Sequence, residues 1–165
     1  LLDLSRSTIA NQYPVEETDF AFFMEEIIDN ASFEARQANV NLKDNIQSAL
    51  IIAVQWDSLA SAVENILRNA IRYAEQEIIF SAYAKDNQLI IDISDDGCGV
   101  EDEHLDNLFT PFYRVSTSRD RQSGGIGLGL AIAQEAISRH HGIINAKNNA
   151  NGGLTVTITP PLGQQ

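Results

Sequence analysis

Residues 95–130 hold two glycine clusters, DDGCGV and GGIGLGL, on either side of a long, mostly polar segment. No other stretch limits the possible folds as strongly. Glycine permits positive φ and lets backbone approach a ligand closely, so two such clusters point to backbone wrapped around something flat or anionic. The intervening segment carries Arg114, Arg119 and Arg121, preceded by Phe109 and Phe112. The second cluster runs straight into an apolar, alanine-rich run. That puts exposed backbone N–H groups at a helix start, where phosphate is favoured.

The charge balance sharpens this expectation. With 23 acidic and 11 basic residues the net charge is −12, which argues against nucleic acid or an anionic membrane as a partner of this surface. Yet Arg114, Arg119 and Arg121 all fall between the glycine clusters, where an anion would need them. A chain of 165 residues with 44% hydrophobic content is one domain of ordinary size with a real core. No apolar run approaches the ~20 residues of a membrane span, and residue 1 does not open a signal peptide. The chain starts inside an apolar, helix-like run, LLDLSRSTIA, and reads as a piece of something longer. A single cysteine, Cys98, excludes an internal disulfide and a multi-cysteine metal site. His104, His140 and His141 lack the Cys or carboxylate spacing of a zinc site. His140 and His141 are expected in the last turn of a helix, where they suit its dipole.

Taken in order, residues 11–18 (NQYPVEET) read as a linker. A helix is expected over residues 19–38, capped by Asp19, with Phe20, Phe23, Ile27, Ala31 and Ala35 at helical spacing. The run SALIIAVQ, residues 48–55, fits a strand. A second helix opens at Asp57 or Ser58 and continues through Ala74, its apolar stripe made by Leu59, Ala62, Val63, Ile66, Leu67, Ala70 and Ala74. Asn65, Asn69 and Arg72 lie within roughly a 60° arc of that helix, largely opposite the stripe. Asparagine is a poor choice for an exposed helical face, so the arc is either a solvated polar surface or a functional set.

Residues 77–84 and 88–94 form a hairpin about Lys85-Asp86-Asn87, and its second strand delivers Asp95 at its end. Residues 101–108 could make a short helix. Residues 125–141 make the third substantial helix, with Gly142 as C-cap. A last hairpin joins residues 142–146 to 154–159 through an Asn-rich turn ending Gly152-Gly153, and Pro160-Pro161 closes the domain. This order gives an α+β sandwich, helices layered on one face of a mostly antiparallel sheet.

Two common nucleotide motifs fail on spacing. The glycines at 125, 127 and 129 do not follow a strand as a dinucleotide fingerprint requires, and no Gly-Lys-Ser/Thr of a P-loop is present. What remains, in order, is NILRNAIRY from Asn65, DDGCG from Asp95, FTPFYR from Phe109 and GIGLGL from Gly125. This combination resembles the N, G1, F and G2 boxes of the ATPase superfamily shared by gyrase, the heat-shock 90 chaperones, histidine kinases and mismatch-repair MutL. Over residues 15–161 it resembles the catalytic, ATP-binding domain of bacterial sensor histidine kinases, and ENILRNAIRYA, FYR and RDRQSGG are most similar to Cpx-type envelope-stress sensor kinases.

The resemblance implies a Bergerat-fold α/β sandwich with a mobile ATP lid, Mg-ATP as ligand, and roles residue by residue. Asp95 would accept a hydrogen bond from the adenine amine, with Gly97 and Gly99 letting backbone pass the base. Cys98 departs from the usual proline, which implies a more flexible loop. Asn65 would place its oxygen on Mg²⁺ with Asn69 beside it; Mg²⁺ suits a few neutral oxygens plus the phosphates of ATP. Arg72 and Tyr73 would meet the phosphates. Gly125, Gly127 and Gly129, with Leu128 and Leu130, would present N–H groups at the helix start. Arg114 would stabilise the transferring γ-phosphate. Arg119 and Arg121 are either further contacts or solvated lid charges, and Phe109 and Phe112 anchor the lid by packing.

Hydrolytic members of the superfamily carry glutamate at the position of Asn65. Here Glu64 is one residue off, turned ~100° away. Phosphoryl transfer is therefore expected rather than hydrolysis. The acceptor histidine of sensor kinases precedes an acidic residue and then Pro-Leu, a context that none of the three histidines has. Residues 1–12 are expected to be the remnant of a second dimerisation helix and residues 13–165 the catalytic domain, the phosphoacceptor lying upstream. The same resemblance implies a cytoplasmic domain of a homodimeric bacterial inner-membrane kinase that acts on a response regulator. Two other readings stand beside it: an anti-sigma-type serine kinase of the same fold, and a non-catalytic nucleotide-binding interaction module.

Overall fold

The structure, a computed structural model, describes residues 17–113, 129–139 and 141–160. Its elements are β1 (Glu17–Asp19), α1 (Phe20–Gln37), β2 (Asn41–Ile46), β3 (Ile51–Ala53), α2 (Trp56–Tyr73), β4 (Glu77–Lys85), β5 (Gln88–Asp95), α3 (Asp102–Leu105), α4 (Gly129–Ser138), β6 (Ile143–Asn148) and β7 (Leu154–Thr159). Five strands form one sheet in the order β2-β4-β5-β7-β6, antiparallel except for the parallel β2–β4 pair. β1 and β3 form a separate two-stranded antiparallel sheet. Among the described residues no helix is long and apolar enough to cross a membrane.

Period-two alternation decides which face of the sheet is covered. On β5, Leu89, Ile91 and Ile93 point inward and are buried; on β4 Ile78, Phe80 and Ala82 do the same, and on β7 Leu154, Val156 and Ile158. Against them pack Phe20, Met24, Ile28, Ala31 and Ala35 of α1, the stripe Leu59–Ala62–Val63–Ile66–Leu67–Ala70 of α2, and Leu130, Ala133, Ala136 and Ile137 of α4. Phe20 stacks on Phe80 at 6.5 Å, and Phe23 meets Trp56 at 4.2 Å, joining α1 to α2. The opposite face of the sheet is polar at its centre: Asp92 accepts from Tyr83 Oη at 3.2 Å and Thr157 Oγ1 at 2.6 Å.

The helix and hairpin expectations hold closely. Asp19 caps α1, its carboxylate accepting from the Ala21 N–H at 2.9 Å. Asp86 and Asn87, with φ of 52° and 62°, make the two-residue turn of the β4–β5 hairpin, the left-handed pair that matches strand twist. Three expectations change. The strand over residues 48–55 shrinks to Ile51–Ala53 and pairs with β1, whose residues 17 and 18 were read as linker. β2 gave no strand signal because NLKDNI is an edge strand, mostly exposed and without apolar alternation. The described part of the third helix ends at Ser138, and His141 rather than Gly142 takes the left-handed position, φ 66°. The Gly142 N–H then reaches back to the Ile137 carbonyl at 2.9 Å. His140 lies outside the described residues.

Phe80 is fully buried where α1 crosses the sheet. Phe80→Ala is expected to lower unfolding free energy by about 3–5 kcal/mol, read as a shifted urea midpoint with an unchanged slope.

Candidate functional site

The inward register of β5, Leu89-Ile91-Ile93, carries on to Asp95, so strand alternation alone drives a carboxylate into the face that is otherwise aliphatic. Asp95 is only 7% exposed. Burial of a charge is costly without hydrogen bonds, and two backbone donors answer it: Gly97 N at 2.9 Å and Leu154 N at 3.3 Å, both to Oδ1. The carboxylate is thus held from both sides, by the loop that follows β5 and by the start of β7.

The next residue does different work. Asp96 accepts from three consecutive backbone N–H groups, Glu75 at 2.8 Å, Gln76 at 3.0 Å and Glu77 at 3.1 Å, tying the loop to the α2–β4 connection. Burial by itself would raise this carboxyl, but the donors of Gln76, Glu77 and Glu75, with its own N–H, outweigh it and hold it below the ordinary carboxylate value. Gly97 sits where a Cβ would lie 2.2 Å from the Tyr73 carbonyl oxygen, so the protein's own packing already demands glycine. Gly99 has φ 71°, and a Cβ there would meet Asn148 Oδ1 at 2.8 Å. Cys98, between them, is exposed, its Sγ 3.4 Å from the Gly99 carbonyl.

Sequence reasoning did not single out the turn that buttresses this loop. Asn148 Oδ1 accepts from Val100 N at 2.8 Å while its amide donates to the Val100 carbonyl. Asn149 Nδ2 donates to Ser94 Oγ and to the Asp95 carbonyl, each at 3.0 Å. Gly153 presses on the same strand end, for a Cβ there would fall 1.9 Å from the Asp95 carbonyl oxygen. The run NNANGG was legible as a turn, but nothing local says what an asparagine side chain 50-odd residues downstream will reach.

The second half of the site lies between α2 and α4. Asn65, Asn69 and Arg72 are half-buried, not a fully solvated face, while Glu64 is exposed. Asn65 Nδ2 donates to the Ser61 carbonyl at 2.8 Å, and its Oδ1 accepts from Arg68 Nη1 at 3.4 Å. A Cβ on Gly129, the first residue of α4, would be 3.8 Å from that same Oδ1. The fold therefore brings Asn65 and Gly129 together, and separately Asp95, Gly97 and the carbonyl of Tyr73. The Leu130 side chain belongs to the core. Arg114, Arg119, Arg121, Gly125, Gly127 and Leu128 lie outside the described residues.

Of the two phenylalanines, Phe109 packs against the core, whereas Phe112 is 69% exposed with φ 67°, and the lid they were expected to anchor lies outside the described residues. His104 is hydrogen-bonded through Nδ1 to the Tyr113 hydroxyl, fixing the segment after α3. The fold also does what sequence spacing did not suggest: Glu101, Glu103 and His104 bring ligand-type atoms within 4.8 Å of one another at the surface.

Residues 54–164 match the profile of the histidine kinase-, DNA gyrase B- and HSP90-like ATPases. The chain belongs to that family. Within it, the chain is homologous to bacterial sensor histidine kinases: it is 38% identical to sensor histidine kinase CpxA of Escherichia coli strain K12 over 168 residues, covering 98% of this chain and 36% of that protein. It is 31% identical to sensor histidine kinase WalK of Bacillus subtilis strain 168, covering 100% of this chain and 28% of that protein. The chain thus spans about a third of the length of these relatives. The fold agrees with the catalytic domain of histidine kinase ThkA, at TM-score 0.78 and 20% identity over 90% of this chain and 96% of that one. It also agrees with full-length ShkA solved in complex with AMPPNP, at TM-score 0.78 and 19% identity over 92% and 32% of the two chains. The mixed sheet with helices on one face is the Bergerat ATPase architecture.

The Asp96 bonds have a pH signature. Because its folded value is depressed, the stability that Asp96 contributes is present above the unfolded value and lost as pH falls through the folded one. Asp96→Ala is expected to cost about 1–3 kcal/mol at neutral pH. Below about pH 4 the variant should also lose stability less steeply than wild type, as measured by urea unfolding at stepped pH.

Proposed function

We propose that this domain binds Mg-ATP with its base at Asp95 and its phosphates between α2 and α4, and passes the γ-phosphate to a histidine on a dimerisation domain of the same kinase. The observation that carries the reading is the buried Asp95, fixed by two N–H donors at the end of an aliphatic strand face. A fixed carboxylate accepts from the exocyclic amine of adenine and repels the carbonyl that guanine presents there. Across the site, Oδ1 of Asn65, whose amide is held by the Ser61 carbonyl, is the neutral, hard oxygen assigned to Mg²⁺ alongside water and phosphate. Asn69 lies one turn on. Gly129 stands beside that oxygen, a Cβ there coming into ordinary contact with it at 3.8 Å, and the N–H groups of Gly125, Gly127, Leu128, Gly129 and Leu130 are assigned to phosphate. Arg72 and Tyr73 extend the phosphate side, and Arg114 is assigned to the γ-phosphate, where charge develops. Magnesium would supply charge neutralisation on the phosphates; this chain's residues hold and aim them.

Glu64 is exposed and its place on the helix turns it ~100° from Asn65, which favours transfer over hydrolysis. Identity of 38% with a sensor histidine kinase supports a histidine acceptor over a serine kinase of the same fold, and the intact Asn65 and Asp95 speak against a purely non-catalytic module. On this reading residues 1–12 continue a second dimerisation helix, the parent is a homodimeric inner-membrane sensor with this domain in the cytoplasm, and its phosphohistidine serves a response regulator. Nucleic acid has no part.

Two experiments test it. Calorimetry with a non-hydrolysable ATP analogue and Mg²⁺ should show binding by wild type, weakened in Asp95→Asn by about 2–3 kcal/mol, roughly 30- to 140-fold. Absence of wild-type binding would sink the proposal. With labelled ATP, the chain alone should acquire no stoichiometric phosphate, because His104, His140 and His141 lack the acceptor context. Label should appear when a dimerisation domain bearing the acceptor histidine is added.

A further inference from the structure

The Asp95 carboxylate points into the core face of β5, while Ser94 points to the other face. Thr155, register partner of Ser94 on β7, shares that far face, and Asn149 sits over the pair. Ser94 Oγ and Thr155 Oγ1 are 2.9 Å apart, Asn149 Nδ2 is 3.0 Å from Ser94 Oγ, and Thr155 Oγ1 contacts Asn149 Oδ1. Each hydroxyl has one proton to give. One circuit satisfies all three: the Asn149 amide donates to Ser94, the Ser94 hydroxyl to Thr155, and the Thr155 hydroxyl back to the Asn149 carbonyl. Such closed circuits polarise one another and hold their members in a single arrangement. The second amide proton of Asn149 goes to the Asp95 carbonyl at 3.0 Å.

We propose that Asn149 is a positioning residue for base recognition: from the far side of β5 it fixes the 94–95 backbone, and so the direction in which the Asp95 carboxylate meets the base. This rests on the assignment of Asp95 to the adenine amine. Gly97 and Leu154 act on the carboxylate, whereas Asn149 acts on the carbonyl of the same residue. Asparagine is required in both of its capacities. An aspartate would accept from Thr155 but have nothing to donate to Ser94 or to the Asp95 carbonyl.

The test compares two nucleotides on the 165-residue chain with Mg²⁺: ATP, and purine riboside triphosphate, which lacks the exocyclic amine. Wild type should prefer ATP. Asn149→Ala and Asn149→Asp should each weaken ATP about fivefold or more while leaving purine riboside triphosphate within about twofold, so that base discrimination collapses. Ser94→Ala, a smaller change in the same circuit, should shift the ratio the same way by a smaller factor, and it decides the matter if the Asn149 variants fail to fold. Equal weakening of both nucleotides, or an unchanged ratio, overturns the inference. If wild type itself binds neither nucleotide, or does not prefer ATP, it is the nucleotide or Asp95 assignment that fails instead.

Discussion

A carboxylate buried at the end of an aliphatic strand organises this molecule. Strand alternation places Asp95 where Leu89, Ile91 and Ile93 have gone before, and a charge there is tolerable only if polar groups converge on it. They do so from distant parts of the chain. Gly97 and Leu154 give N–H groups to its side chain, Asn149 holds its carbonyl, and Gly153 packs on the same oxygen. The glycines at 97 and 153 are there because Tyr73 and Asp95 backbone atoms occupy the space a side chain would need.

The other half of the site obeys a different constraint. α2 and α4 pack against each other, each giving alanines to the core (Ala62 and Ala70, Ala133 and Ala136), and Asn65 meets the first described residue of α4. The asparagine amide donates to the Ser61 carbonyl, as a polar residue inside a helix commonly does, and its oxygen accepts from Arg68. A buried carboxylate at one end and a neutral amide oxygen beside Gly129 at the other are two chemically different groups, and the proposed base and metal-phosphate roles rest on that difference.

Three residues or segments depart from expectation. Phe112 was read as a packing residue from its type, yet it is exposed; β2 was missed because its residues are polar; His141 takes a left-handed position beside a glycine that seemed the natural choice. For β2 a neighbour far along the chain decided. β2 is a strand because β4 lies parallel to it, and the two-stranded β1–β3 pair exists because α1 returns the chain past residue 51.

Sequence by itself determined the helices with strong apolar periodicity, α1, α2 and the described part of α4, and the β4–β5 and β6–β7 hairpins. It also determined the order of boxes that marks an ATPase family, because short-range pattern and residue type carry those signals. It placed Asp95 at a strand end, and it separated Asn65 from Glu64 by helical geometry alone. Only the tertiary structure decided that Asp96 anchors to the N–H groups of residues 75–77, and that Asn148 and Asn149 brace a loop about fifty positions earlier. Those contacts are hydrogen bonds between segments remote in sequence, and a hydrogen-bonding side chain shows its partner only once the backbone has brought the two within reach.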